Sequence, residues 1–236
     1  MKNKGAPEAR ILKSTLPMNY QFSIDIKEEN MRVFRLKPLS YCDTNCYIVA
    51  SDEGNAALID APDDAQYILE QLDIINLSLK MILLTHGHFD HIGAAADLQD
   101  ETGCEVYAHT DDLYMIKDGN ASKSGFLGIG EIRPVKNVIP ITEDSVIKLD
   151  EIEFDVLHTP GHTPGSVCYI AGNVMFSGDT LFARSIGRTD MPGGDMEKMN
   201  KSLEKIKELG GDLTVYPGHM NVTTLETEKK VNQFLQ

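Results

Sequence analysis

Hydrophobic and polar positions divide the chain into two parts at Met31. Residues 1–30 show no clear periodicity, whereas a strand-like run starts at Met31 and short apolar runs separated by turns continue to the end. We therefore expect a flexible amino-terminal extension over residues 1–30 and one folded domain over residues 31–236, which no linker divides. The alternative interpretation is that Met31 is the true start codon of the natural protein.

The apolar runs of the second part predict strands and helices in alternation. Strand-like runs cover residues 46–50, 56–60, 80–84, 105–108, 145–149, 152–157, 167–171, 173–176 and 213–216. Helical spacing covers residues 63–75, 91–102, 195–209 and 223–235. The Gly-, Ser- and Ala-rich stretch 118–130 predicts a mobile loop, and Asp195 is the expected N-cap of the third helix. This order predicts an α/β fold in which helices cover packed sheets.

Charge and composition exclude two classes of partner. The chain has 236 residues and a formal net charge of -14, so it lacks the basic surface that neutralises nucleic-acid phosphates or anionic membranes. It also lacks an apolar run of about 18 residues, the length that spans a bilayer. We therefore expect a small-molecule substrate, no nucleic acid and no membrane.

The four cysteines are interpreted as free thiols of a reduced, cytoplasmic protein. The amino-terminal residues lack the apolar segment of a secretory signal, which agrees with that location. Cys42 and Cys46 form a C-x3-C pair, but no second pair completes a tetrahedral metal site. The alternative interpretation is that the two cysteines flank the start of a strand.

The strongest chemical signal is the segment 85–91, which directly follows a predicted buried strand. It places His86, His88 and His91 and the carboxylate of Asp90 within six residues. Imidazole and carboxylate are ligands for zinc, iron and manganese. A catalytic zinc ion takes three protein ligands, so four such groups in one loop indicate a centre of two ions rather than a polar surface turn.

Three further ligand-type residues occupy a similar position beside predicted strands. His162 lies in a turn-rich segment between two strands, and Asp179 and His219 each come shortly after a strand, behind a small residue. Functional groups gather in such loops because a rigid scaffold positions them. The remaining histidines, His109 and His158, are expected to play a structural or hydrogen-bonding role beside the ligands.

These segments resemble the metallo-β-lactamase superfamily, whose pattern HxHxDH, His, Asp, His is filled at every position. The resemblance implies an αββα sandwich with two divalent ions at one edge of the sheets, with zinc first and iron or manganese as alternatives. The implied ligands are His86, His88 and His162 for the first ion, Asp90, His91 and His219 for the second, and Asp179 for both. A shared water or hydroxide would complete the bridge.

A more specific resemblance, to the glyoxalase II-like (hydroxyacylglutathione hydrolase-like) branch, rests on residues 177–182, 185–190, 193–195 and 223–235. It implies attack of the hydroxide on a thioester, S-D-lactoylglutathione or a related acyl thioester, with a catalytic Asp90 that helps orient the hydroxide. Arg188 is either a substrate contact or part of a salt-bridged turn with Asp190. Full-length members carry a further helical domain that contacts glutathione, and the residues after His219 are too few to form one.

Other functions stay open at this point. A persulfide dioxygenase of the same superfamily would use one iron held by His86, His162 and Asp179. A lactonase or β-lactamase would share the fold and the ligands, and a nucleic-acid hydrolase is disfavoured by charge. A binding protein without catalysis would be expected to lack a ligand position, and none is missing here.

Overall fold

The computed structural model describes residues 22–27, 31–37, 42–118, 121–122 and 132–236. Most of the loop expected at 118–130 and most of the extension expected at 1–30 lie outside these residues, and both expectations stay predictions. Within the described residues, no helix is long and apolar enough to cross a membrane.

The first sheet has seven strands in the described part of the chain, and they lie side by side in chain order. They are β1 Phe22–Lys27, β2 Met31–Leu36, β3 Tyr47–Ser51, β4 Asn55–Ile59, β5 Ser78–Leu83, β6 Glu105–His109 and β7 Val138–Ile141. Strands β1 to β4 pair antiparallel, and a tight turn at Gly54 (φ 84°) joins β3 to β4. Strands β4 to β7 pair parallel, because each connection between them contains a helix.

The second sheet has six strands among the described residues, in the order β15-β14-β11-β10-β9-β8. They are β8 Val146–Leu149, β9 Ile152–His158, β10 Val167–Ala171, β11 Val174–Gly178, β14 Thr214–Pro217 and β15 Thr223–Thr224. Only β11 and β14 pair parallel in this described sheet, and helix α5 lies between them in sequence. A short hairpin, β12 Leu181–Phe182 and β13 Ser185–Ile186, follows β11.

Six α-helices occur in the described part of the chain: α1 Ala65–Ile74, α2 Phe89–Ile92, α3 Ala95–Thr102, α4 Leu113–Lys117, α5 Met196–Glu208 and α6 Leu225–Val231. Asp195 caps α5, as expected, by accepting hydrogen bonds from the amides of Glu197 (2.9 Å) and Lys198 (3.1 Å). The helices pack on the outer faces of the two sheets.

Three hydrophobic clusters define the layers. The central cluster joins the facing sides of both sheets, with Val49 and Leu83 from the first and Phe154 and Phe176 from the second. A second cluster packs α1 and α3 on the first sheet, and a third packs α5 and α6 on the second. The protein is therefore an α/β protein with the αββα sandwich that the resemblance implied.

Several boundaries differ from the expectations. Strand β1 pairs with β2, so the first sheet begins before Met31, where the domain was expected to start. The helix expected over residues 91–102 is divided into α2 and α3 at Gly93, because the chain there packs directly on the backbone of Pro62. The helix expected over residues 223–235 is shorter than predicted. Its first two residues form strand β15, and helix α6 follows and ends at Val231.

The sequence analysis missed several short elements, which include β1, α4, β15, β7 and the hairpin of β12 and β13. Strand β7 contains Pro140, whose missing N–H makes a segment a poor strand candidate, and β7 is an edge strand of the described sheet, where proline is tolerated. The hairpin of β12 and β13 has only two residues in each strand, too few for a periodic signal.

Candidate metal centre

The seven predicted ligands lie together at one edge of the sandwich. They come from four segments, and each segment follows the end of a strand: β5, β9, β11 or β14. The first segment supplies His86 and His88 from a loop and Asp90 and His91 from helix α2, and the other three supply His162, Asp179 and His219 in turn. All except His219 are buried. The strand-end pattern in the sequence therefore placed every one of these residues in one cluster.

The first group of side chains consists of His86, His88 and His162. Nitrogen atoms of the three rings lie within 4.8 Å of one another, which is close enough for one ion to be shared. The Nδ1 of His88 lies 2.9 Å from the Nε2 of His162. The Nε2 of His86 is buried and has no hydrogen-bond partner among the described residues.

The second group consists of Asp90, His91 and His219. The Nε2 of His219 lies 3.4 Å from the Oδ2 of Asp90 and 3.4 Å from the Nε2 of His91. The Nε2 of His91 lies 3.7 Å from the same carboxylate oxygen. These three side chains also satisfy the spacing for a shared ion.

Asp179 lies between the two groups. Its Oδ2 is 3.5 Å from the Nε2 of His162 and 3.4 Å from the Nε2 of His219, and its Oδ1 is 3.5 Å from the Nε2 of His91. The Oδ1 atom is buried without a hydrogen-bond partner in the described part of the protein. Buried polar atoms are normally satisfied, so the unpartnered atoms of Asp179 and His86 fit a cluster that holds divalent cations through nitrogen and oxygen.

Asp60 is a buried carboxylate that the sequence interpretation missed. It stands at the end of β4 with φ 57° and accepts 2.8 Å hydrogen bonds from the amide and the hydroxyl of Thr85. Its Oδ2 also accepts a 2.8 Å hydrogen bond from the Nδ1 of His91. Such a bond fixes the ring orientation of a metal-binding histidine. The sequence signal that could have identified Asp60 is an acidic residue at the end of an apolar strand.

Other histidines of the cluster are oriented in the same way. The Nδ1 of His162 donates to the carbonyl oxygen of Arg188 (2.7 Å), and the Nδ1 of His219 donates to that of Cys42 (3.1 Å). The Nδ1 of His86 lies 3.1 Å from the hydroxyl of Thr85. In each ring the Nδ1 atom is engaged outside the cluster, so the Nε2 atom faces its interior.

Asp112 connects two of the ligand loops and was also missed. Its carboxylate accepts hydrogen bonds from the amide of Gly87 (2.9 Å), the hydroxyl of Thr163 (2.6 Å) and the amide of Gly165 (2.7 Å). Burial raises the pKa of Asp112, although these hydrogen bonds act in the opposite direction. The carboxylate therefore ties the loop of His86 and His88 to the loop of His162.

Two histidines of the first group favour the neutral form. Burial lowers the pKa of His86 well below its ordinary value, and the charges of His91 and His162 lower it further. Burial also lowers the pKa of His88 to about 3, with a further contribution from His162. A neutral imidazole is the form that binds metal.

The second group is strongly charged in the absence of a cation. Burial would lower the pKa of His91, but Asp179 and Asp90 raise it to about 9. Burial would also lower the pKa of His219, but hydrogen bonds and charges of Asp179 and Asp90 raise it to about 11. Burial would raise the pKa of Asp179, but the charges of His91 and His219 lower it to about 2. Protons on the two histidines thus compensate the carboxylates.

A pocket of about 490 Å³ opens over the cluster. Its described lining includes five of the ligand-type residues and, beyond them, Cys42, Phe89, Phe182, Ser185, Ile186, Arg188, Met191 and Met220. Arg188 reaches the pocket, and its Nε and Nη2 atoms also donate to the carboxylate of Asp190 at 2.7 and 2.9 Å. Arg188 therefore forms the expected salt-bridged turn with Asp190, and its contact with a substrate stays a prediction.

The remaining histidines and cysteines lie outside the seven-residue cluster. His109 and His158 stack on each other with ring centroids 3.9 Å apart, and the Nε2 of His158 donates to the carbonyl oxygen of Pro164. Among the described residues, no cysteine belongs to a group with metal-ligand spacing. Cys46 is buried and its thiol donates to the carbonyl oxygen of Asp60.

The fold and the ligand cluster together define a metallo-hydrolase, and the family model described as the metallo-beta-lactamase superfamily matches residues 39–219. The chain belongs to this superfamily, and it is a metal-dependent hydrolase.

Individual relatives are similar over nearly their whole length. The protein named hydroxyacylglutathione hydrolase GloC from Haemophilus influenzae is 37% identical over 204 residues, which are 84% of this chain and 95% of the relative. The crystal structure of the BLEG-1 B3 metallo-beta-lactamase has a TM-score of 0.80 and 36% identity, covering 86% of this chain and 99% of that one. The structure of TTHA1623 in a di-iron-bound form has a TM-score of 0.76 and 37% identity, covering 84% and 98%.

Proposed function

We propose that the protein hydrolyses an acyl thioester, with S-D-lactoylglutathione as the first substrate to test, at a centre of two divalent ions. The observation that carries the proposal is the position of Asp179, whose carboxylate lies within 3.5 Å of histidines from both ligand groups. The similarity to hydroxyacylglutathione hydrolase GloC supports the choice of substrate.

In this proposal each of the two groups of side chains would hold one ion. His86, His88 and His162 would hold the first ion, Asp90, His91 and His219 would hold the second, and Asp179 would serve both. Two divalent ions in such a centre would lower the pKa of a bound water to near 7 and polarise the substrate carbonyl. The imidazole and carboxylate donors suit zinc, and the di-iron form of a relative supports iron as the alternative.

The side chains around the ions have separate tasks. Asp90 receives a 3.1 Å hydrogen bond from the hydroxyl of Thr44 on its Oδ2 atom, so its carboxylate is held in one orientation beside the pocket. We assign Asp90 the catalytic role of orienting the attacking water as well as holding the second ion. The leaving group is a thiolate, whose conjugate acid has a pKa of about 8.5, so it departs without a proton donor.

The test combines metal analysis with an assay of thiol release. Purified protein is analysed for metal content, and hydrolysis of S-D-lactoylglutathione is measured under air and under nitrogen. We expect two ions per chain and equal rates in both gases. The His88→Ala variant should lower kcat/KM more than about 100-fold, because it removes a ligand outright rather than a partner of one. His109→Gln, which changes a histidine outside the seven-residue cluster, is the matched control.

Two results would contradict the proposal. Two ions per chain without thiol release from any acyl thioester would exclude acyl thioesters as the substrate class. One iron per chain, with oxygen uptake in the presence of glutathione persulfide, would indicate a dioxygenase that uses His86, His162 and Asp179.

Hydrolysis of β-lactams is a second candidate, favoured by the 36% identity to a B3 metallo-beta-lactamase over 86% of the chain. The same purified protein is assayed with a penicillin and a cephalosporin. A kcat/KM for either β-lactam above that for the best thioester would select this activity instead.

We also place the protein in the cytoplasm, with a small-molecule substrate. None of the four cysteines forms a disulfide, which is usual in reducing compartments. Fractionation of the source cells with an antibody against the protein tests this location.

A further inference from the structure

The pocket beyond the ligand cluster has an apolar wall. We use this name for Phe89, Phe182, Ile186, Met191 and Met220, which line the pocket together. Phe89 and Phe182 are almost fully buried, and the ring of Phe182 meets the ring of His219 edge to face at 5.9 Å between centroids. The wall therefore starts directly at the centre and extends away from it.

The central part of the wall is held rigidly. Phe182 and Ile186 lie on the hairpin of β12 and β13, and the side-chain amide of Asn232 donates to the carbonyl oxygens of Phe182 (3.4 Å) and Ser185 (3.0 Å). The Oε2 of the buried Glu228 accepts the amide of Arg184 at the hairpin turn (2.7 Å). The apolar surface is thus formed before a ligand arrives, which reduces the entropy cost of binding.

The charge of the pocket disfavours an anionic group along this wall. Of the described residues that line it, only Arg188 has a side chain that is always cationic. Its guanidinium is engaged in a two-pronged ion pair with Asp190, so a substrate carboxylate would compete with a partner already in place.

The size of the pocket also argues against a small, polar acyl group. A lactoyl group is small and polar, whereas the pocket measures about 490 Å³. Sites for small molecules of this volume are usually filled by a ligand that contacts their apolar walls. Wherever the glutathione moiety lies in the pocket, a lactoyl group offers little apolar surface to the wall residues beside His219.

We propose that the apolar wall binds the acyl group of the substrate, so that thioesters of extended apolar acyl chains are preferred over the lactoyl thioester. This inference rests on the proposed function for its reaction, and it adds the chemical class of the acyl group. No further step or cofactor is needed, because the bond that breaks is the same C–S bond and water is the same second reactant.

The first experiment varies only the acyl group. Glutathione thioesters of acetyl, butanoyl, hexanoyl and D-lactoyl groups are compared at equal metal loading. Burial of each added methylene on the wall is expected to raise kcat/KM about fourfold until the wall is covered. The lactoyl thioester should fall below the butanoyl thioester. Equal values across the series, or a maximum at the lactoyl thioester, would overturn the inference.

Variants of the wall separate a direct contact from a general effect. Ile186→Ser and Met191→Ser each replace a wall residue that is not one of the seven proposed ligands, and both should lower the hexanoyl-to-acetyl ratio of kcat/KM at least about threefold. Val146→Ser changes an exposed apolar residue of β8, outside the pocket lining, and should leave the ratio unchanged. A ratio that stays constant in both wall variants contradicts the inference.

A binding measurement keeps the inference separate from the reaction. S-methylglutathione and S-hexylglutathione are thioethers and cannot be hydrolysed, and their Kd values are measured by titration calorimetry. We expect S-hexylglutathione to bind more tightly, with the difference reduced in Met191→Ser. If this holds while no thioester is hydrolysed, the proposed reaction fails and the apolar wall stands. If the two ligands bind equally while thioesters are hydrolysed, the wall fails and the reaction stands.

Discussion

The imidazole of His91 donates from its Nδ1 atom to the Oδ2 of Asp60 across 2.8 Å, deep below the ligand cluster. This bond leaves the Nε2 of His91 directed at Asp179 and Asp90. The same Asp60 carboxylate is held by both the amide and the hydroxyl of Thr85. A residue that contacts no substrate therefore determines how one proposed ligand faces its ion.

Replacement of Asp60 tests this positioning role. In Asp60→Ala the ring of His91 loses its orienting partner, and the affinity for the second ion should fall about 10- to 100-fold. The affinity for the first ion should change less, since Asp60 acts on its ligand His86 indirectly, through the hydroxyl of Thr85. Titration of the metal-free protein with zinc in the presence of a competing chelator measures both constants. Asp150→Ala, a carboxylate that bridges Ser51 and Asn55, is the control. Equal loss at both sites would assign Asp60 a purely structural role.

Asn45 should position His219 in a comparable way. The side-chain amide of Asn45 donates to the carbonyl oxygens of Pro217 (2.9 Å) and Met220 (3.0 Å), which flank His219. The backbone amide of Asn45 donates to the carbonyl oxygen of Gly218. Asn45→Ala removes one donor from each of the Pro217 and Met220 carbonyls, which keep hydrogen bonds from Tyr47 and Arg35, at a cost of about 0.5–1.5 kcal/mol for each bond lost. We expect the second ion to be lost first on dilution or dialysis, which metal analysis detects. Retention of two ions in Asn45→Ala, with Asn55→Ala treated identically, would contradict this expectation.

Asp112 should matter for stability as well as for the centre. Asp112→Ala leaves the amides of Gly87 and Gly165 without the carboxylate that accepts their hydrogen bonds. Because each unsatisfied buried group costs about 1–3 kcal/mol, the free energy of unfolding should fall by about 3 kcal/mol. Urea unfolding of the metal-loaded variant measures this loss. A change below about 0.5 kcal/mol, the level of an ordinary surface substitution, would show that the two loops are held by other contacts.

Metal binding should release protons. The pKa values of His91 and His219 without metal are about 9 and about 11, so both rings carry protons at pH 7. Both must lose them to bind an ion, and the apparent affinity for the second ion should therefore rise with pH. Calorimetric titrations in buffers of different ionisation enthalpy count the released protons. Zero net release at pH 7 would mean that the rings are already neutral in the metal-free protein.

The same shifts predict the pH dependence of the stability of the metal-free fold. The raised pKa values of His91 and His219 stabilise the fold below pH 6.5, their ordinary value, and this contribution is lost as pH rises through 9 towards 11. The pKa of His88 is lowered from 6.5 to about 3, so its effect on stability has the opposite pH dependence. His88 stabilises the fold above pH 6.5. Its contribution is lost as pH falls towards 3.

Stability of the metal-free protein should therefore be greatest near pH 6.5 and decline on both sides. Urea midpoints measured across that range test the shape. The metal-loaded protein is the control, because bound histidines are neutral and the decline towards pH 10 should weaken. A midpoint that rises steadily from pH 6 to pH 10 without metal would contradict the assigned charges.

The sequence by itself located the strands and the segments after them that carry the seven ligand-type residues, and its resemblance to a known superfamily implied the ligand set and the αββα class. The segments could be located because each one follows a strand, so that an apolar run followed by ligand-type residues is a local signal. The N-cap of α5 at Asp195 was equally local.

Only the tertiary structure decided which residues hold those ligands in place. Asp60, Asp112 and Asn45 act on partners from other parts of the chain, and their hydrogen bonds exist only after the loops have converged. The division of one expected helix at Gly93 has the same origin, since it depends on contact with Pro62. The pocket with the apolar wall likewise arises where the hairpin of β12 and β13 meets the loops of the centre. Local periodicity reports which face of an element is buried, but it carries no information about the distant group that the face meets.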